Sequence, residues 1–108
     1  MSEAALQGRV VRLARRLGWT VVHVGRAVVG NGRVVTPTIA GWPDLLLLNP
    51  DAPNGVRVMF LELKSQRGRP SDEQIEMMSL LIACGIPGGI VTPEDWRTGK
   101  VRALLEGR

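Results

Sequence analysis

Gly41-Trp42-Pro43-Asp44-Leu45-Leu46-Leu47-Leu48-Asn49-Pro50-Asp51-Ala52-Pro53-Asn54-Gly55-Val56-Arg57-Val58-Met59-Phe60-Leu61-Glu62-Leu63-Lys64 is the stretch on which the reading of this chain turns. Two runs of strand-like composition flank an insert, Asn49 to Gly55, whose Pro, Asn and Gly interrupt regular structure. Leu45 to Leu48 is continuously apolar, as a strand covered on both faces would be. Val56 to Lys64 alternates towards its end, with Leu61 and Leu63 on one side and Phe60, Glu62 and Lys64 on the other. An antiparallel hairpin would place Asp44 and Glu62, which are equidistant from Pro53, opposite each other with Cβ atoms about 5 Å apart. Two carboxylates that close repel by about 3 kcal/mol at an effective dielectric of about 20. Lys64, on the same face as Glu62, supplies one compensating charge, and a bound divalent ion would supply the rest. A slip of one residue would turn Glu62 to the opposite face.

Pro43-Asp44, an intervening hairpin, then Glu62-Leu63-Lys64 resembles the PD-(D/E)xK nuclease motif. Gly41-Trp42-Pro43-Asp44, Leu61-Glu62-Leu63-Lys64-Ser65, Gln74 in a following helix and Pro93-Glu94-Asp95-Trp96 narrow it to the VRR-NUC branch. The form is minimal and stand-alone, similar to those of phages and bacteria, and the resemblance covers nearly the whole chain. It implies a restriction-endonuclease-like α/β core, a mixed β-sheet flanked by helices in the order αβββαβ. It also implies a DNA endonuclease using Mg²⁺ or Mn²⁺ held by Asp44, Glu62 and the carbonyl of Leu63, with Lys64 orienting or deprotonating the attacking water. Glu3 and Gln7 match the family's acid and Gln one turn apart, which implies a place for Glu3 at the metal edge or just behind it. Gln74 matches a family Gln, which implies a place near Lys64. Small members resemble junction-resolving enzymes, so the resemblance extends to four-way or flap-like DNA and a homodimer, with no organic cofactor.

A chain of 108 residues with 44% hydrophobic content suits one domain, residues 1–108, with one modest core. The net charge of +4 and a pI near 10.6 are compatible with a polyanionic partner. The single Cys84 excludes an internal disulfide and a multi-cysteine zinc site, and fits a reducing cytoplasm, which the resemblance implies is that of a bacterium or a phage-infected host. No apolar stretch reaches the length of a membrane span, and Met1-Ser2-Glu3-Ala4-Ala5 is no signal peptide.

Leu6, Val10, Leu13, Ala14 and Leu17 make an apolar stripe that predicts a helix over 3–17, with Ser2 at its N-cap and Gly18 as its stop. Arg9, Arg12, Arg15 and Arg16 lie mostly off the stripe, as a solvated face or as contacts to backbone phosphate. Glu3 in the first turn is also accounted for by the helix dipole. Trp19 to Val24 reads as a strand carrying the only histidine, His23, better explained as a strand residue than as a catalyst. Asn31-Gly32 between Val pairs signals a two-residue hairpin, and Arg26 and Arg33 near its tip can reach a nucleic-acid backbone. Trp42 reads as packing. Arg67 and Arg69 lie in a basic connection beside the proposed site.

Ser71-Asp72-Glu73-Gln74 fits a capping box for a second helix ending near Cys84, and that alone explains Gln74. Gln74, Met78, Leu81 and Ile82 nevertheless share a stripe that would face the sheet. Residues 88–92 form a last strand, and Thr92 and Pro93 open a helix in whose first turn Glu94 and Asp95 are structural acids. Val101 to Leu105 pack as a terminal helix or turn. Two rival readings stand: a DNA-binding or accessory protein that keeps the fold without turnover, and a structural domain in which Glu62 and Lys64 are an exposed strand pair.

Overall fold

The structure, a computed structural model, describes residues 1–24, 27–28, 34–35 and 40–108. Helix α1, Glu3–Arg16, leads into strand β1, Thr20–His23. Two short strands, β2 at Ala27–Val28 and β3 at Val34–Val35, pair with each other. Strands β4, Leu45–Leu48, and β5, Val58–Leu63, follow, then helix α2, Asp72–Ala83, strand β6, Gly88–Val91, and helices α3, Pro93–Arg97, and α4, Lys100–Glu106.

The main sheet has the order β1-β4-β5-β6, antiparallel except for the parallel β5–β6 pair. This is the mixed sheet flanked by helices that the sequence predicted. Leu45 stands opposite Leu61 and Leu47 opposite Met59, so these residues share one face. There they form the main core with Leu6, Val10, Leu13 and Ala14 of α1 and with Val101 and Leu105 of α4. Burying each leucine fully contributes about 1.5–3 kcal/mol, which makes this face the main source of stability. Trp19 closes one end by donating its indole N–H to the Leu105 carbonyl at 3.1 Å in buried surroundings.

The other face is thinner. Phe60 packs there against Met78 and Leu81 of α2, with Trp42, Leu46, Met77 and Ile86 partly buried around them. Trp42 is therefore packing, as expected. Ile82 departs from the expected stripe and is 55% exposed. The buried arc of α2 runs through Met77, Met78 and Leu81, and Ile82 lies one residue beyond it, on the outward flank.

In the β2–β3 pair, Ala27 stands opposite Val35 and Val28 opposite Val34. Arg26, Arg33 and the Asn31-Gly32 pair itself lie outside the described residues. No helix among the described residues is long and apolar enough to cross a membrane.

Candidate active site

The thinner face holds the polar cluster. The β4–β5 pairing, Leu45 with Leu61 and Leu46 with Phe60, continues to Asp44 opposite Glu62. Asp44 is fixed from two sides. Its carbonyl accepts from the Val24 N–H at 3.0 Å, and its Oδ2 accepts from the Leu63 N–H at 2.8 Å.

Proline explains why a side chain completes this ladder. In the β4–β5 register the residue opposite Leu63 is Pro43, which has no N–H to donate to the Leu63 carbonyl. Backbone pairing therefore ends at this point. The Leu63 N–H turns to the Asp44 carboxylate, and the Leu63 carbonyl loses its ladder donor.

The approach to Asp44 is set by Gly41, whose φ of +90° favours glycine. A Cβ at that position would lie 2.2 Å from the carbonyl oxygen of Glu73 in the first turn of α2. The Gly41–Asp44 segment thus passes flush against the start of α2, and only a residue without a side chain permits the contact.

Glu62 is only 1% exposed, which overturns the reading of Glu62 and Lys64 as an exposed strand pair. Lys64 Nζ lies 3.6 Å from Glu62 Oε1. Even so, the Glu62 carboxyl is pushed up to about 8, first by burial, then by hydrogen bonding with the Asp44 carboxyl and repulsion from it. The attraction of Lys64 acts the other way and is outweighed. As a carboxylate, Glu62 leaves Oε2 buried without a hydrogen-bond partner. With both acids ionised, the single amine leaves this pocket one positive charge short. The oxygen donors and the unsatisfied Oε2 fit a hard divalent cation such as Mg²⁺ or Mn²⁺.

The remaining candidates lie elsewhere. Glu3 is exposed at the start of α1, and no group of three or more His, Cys, Asp and Glu able to hold a metal occurs among the described residues. Glu3 is therefore not brought into the carboxylate pair. Gln74 spends its Oε1 on the Ser71 N–H at 2.9 Å, while its own N–H bonds Ser71 Oγ at 3.1 Å, the complete capping box. Arg67 and Arg69 are exposed in the connection after Lys64. His23 pairs with Leu45 and so belongs to the face opposite Asp44. Gly41 and Pro43 position Asp44, roles the motif reading did not give them; the signal was a glycine and a proline just ahead of a strand start.

No family model matches the sequence, and no curated protein matches it. A solved structure described as a VRR_NUC domain does, covering 98% of this chain and 97% of its own, at a TM-score of 0.60 and 24% identity. The chain has the VRR_NUC fold. This is the restriction-endonuclease-like α/β architecture that the sequence resemblance implied, and the match runs the length of both chains. Within the VRR_NUC fold, Asp44 enters at the start of β4, and Glu62 and Lys64 enter from the end of β5.

Proposed function

We propose that this protein is a VRR-NUC nuclease that hydrolyses phosphodiester bonds in DNA at a site built from Asp44, Glu62 and Lys64. The observation that carries this reading is a buried Glu62 opposite a half-buried Asp44, with the Lys64 amine 3.6 Å from Glu62, a pairing of acids that a bound cation would relieve. Asp44, Glu62 and the Leu63 carbonyl would hold Mg²⁺ or Mn²⁺. When bound, the ion would polarise the scissile phosphate and acidify water beside it. Lys64 Nζ, with three donors and no acceptor, orients the attacking water and offsets the charge that gathers on the phosphoryl oxygens. Leu63 holds Asp44 in place through its N–H, and Phe60 and Trp42 limit the entry of bulk water from the α2 side. Attack in line leaves a 5′ phosphate and a 3′ hydroxyl.

Arg67 and Arg69 beside the site, and Arg26 and Arg33 outside the described residues, belong to the proposal as contacts to DNA phosphates. So does preference for four-way or flap-like DNA, in a cytoplasmic setting. A homodimer would present two sites to two symmetry-related strands. It has support in Ile75, Leu80 and Ile82, which leave apolar surface on α2 at 48%, 57% and 55% exposure.

The test is cleavage of linear, flapped and four-way DNA with Mg²⁺, Mn²⁺ or Ca²⁺, using Asp44→Ala and Lys64→Ala as controls against contaminating nuclease. Metal-dependent cleavage lost in both variants supports the proposal. Intact substrates, or unchanged cleavage by the variants, would overturn it. Salt-sensitive DNA binding without any cleavage would favour the non-catalytic alternative.

A further inference from the structure

A groove of about 600 Å³ opens beside α1 and α3, lined by Arg9, Gln66, Pro93, Glu94, Trp96 and Arg97. Its floor lies where the parallel pair β5 and β6 ends, the usual place for a ligand crevice in a sheet with parallel strands. The Lys64 N–H bonds the Val91 carbonyl at 3.0 Å, and two residues on, Gln66 Oε1 accepts from the Glu94 N–H at 3.2 Å. The groove therefore starts within two residues of Lys64.

Charge in the groove is unevenly satisfied. Arg97 is held by both oxygens of Glu94, and this pairing keeps the Glu94 carboxyl below the usual carboxylate range. Arg9 is exposed and makes no ion pair among the described residues. Arg12 and Arg16 follow it on the same stripe of α1, also exposed and without ion pairs among the described residues. Gly8, inside the helix where glycine costs about 0.5–1 kcal/mol relative to alanine, leaves room for the Arg12 guanidinium. A Cβ there would lie 3.3 Å from Arg12 Nη1. The Arg12 guanidinium thereby lies back over the preceding turn, against Gly8. Trp96 packs partly against the main core and lines the groove with the rest of its ring.

We infer that this groove, continued by the arginine stripe of α1, carries the sugar-phosphate backbone of one DNA strand away from the Asp44–Glu62–Lys64 site. The inference rests on the nuclease reading for its choice of polymer. Arg9 to Arg16 spans about 10 Å along the helix, enough to meet about two or three successive phosphates of one strand. Trp96 offers an aromatic edge to a sugar or an unpaired base.

The experiment is binding of fluorescein-labelled duplex and four-way DNA to the full chain in EDTA, followed by anisotropy across a salt series. Replacing Arg9, Arg12 and Arg16 with alanine together should weaken binding on the order of tenfold to a hundredfold, and lower the log–log salt slope by about 2–3. The same three positions as lysine should keep most of the slope. Glu94→Gln should tighten binding several-fold, because it releases Arg97 and removes a negative charge, whereas a purely structural Glu94 would leave binding unchanged. A wild-type slope in the triple alanine variant would overturn the inference and leave the nuclease proposal standing, as would a lysine variant no better than the alanine one. Loss of binding in the alanine variant of a chain that proves unable to cleave would support the groove and remove the catalytic reading. No DNA binding by the unaltered chain would remove both.

Discussion

Replacing Glu62 with glutamine should stabilise the metal-free protein, and by an amount that grows with pH. The Glu62 carboxyl, ordinarily near 4.5, is raised to about 8 by burial and by the Asp44 carboxyl beside it. A group raised on folding gives its full contribution below the unfolded value and loses it as pH climbs through the folded value. The unaltered chain should thus lose stability between about pH 4.5 and about pH 8, at up to about 1.4 kcal/mol per pH unit, and level off above. The whole interval corresponds to on the order of 5 kcal/mol, an upper figure because Lys64 and local relaxation share the strain. Glutamine does not titrate and can donate to Asp44. Denaturant unfolding of both proteins in EDTA from about pH 5 to about pH 9 reads the difference directly, cancelling every other titrating group. Saturating Mg²⁺ should flatten the slope of the unaltered chain by favouring ionised Glu62 and leave Glu62→Gln unmoved. A stability difference that stays constant over this pH range would refute the reasoning.

Lys64→Ala should retain divalent-ion binding while slowing cleavage by about 10²–10⁴-fold, the range for a positioned group acting on a proton; equal loss of binding would make Lys64 a structural counter-ion instead. Gly41→Ala places a side chain against the Glu73 carbonyl and strains a positive φ, so stability should fall by about 1–3 kcal/mol and divalent-ion affinity with it, measured by thermal melting with and without Mn²⁺. Gln74→Ala should cost about 0.5–1.5 kcal/mol through loss of the bond from the Ser71 N–H to its side chain, with cleavage by the folded fraction unchanged; a fall in cleavage beyond that would place Gln74 in the site.

The hairpin was legible in the sequence because two strand-like runs flank a turn centred on Pro53, and side-chain alternation then fixes which residues share a face. That is why Asp44 came out opposite Glu62. Burial of Glu62 was not legible, because alternation tells faces apart without saying which face a helix covers. The same limit applied to Ile82: periodicity admits a broad stripe, and only the position of Phe60 under α2 decides where it ends. Glu3 and Gln74, which the family pattern puts near the site, each also have a local explanation, the helix dipole for one and the capping box for the other. The groove at α3 was invisible because Arg9, Gln66 and Trp96 are distant in sequence and meet only when β5 and β6 end side by side.

Calorimetric titration of Mn²⁺ into the unaltered chain and into Asp44→Asn tests most directly whether Asp44, Glu62 and Lys64 frame a cation site. Saturable binding by the unaltered chain, lost in the variant while its fold persists by circular dichroism, is the expected result. Absence of saturable binding, or equal binding by Asp44→Asn, would contradict the account.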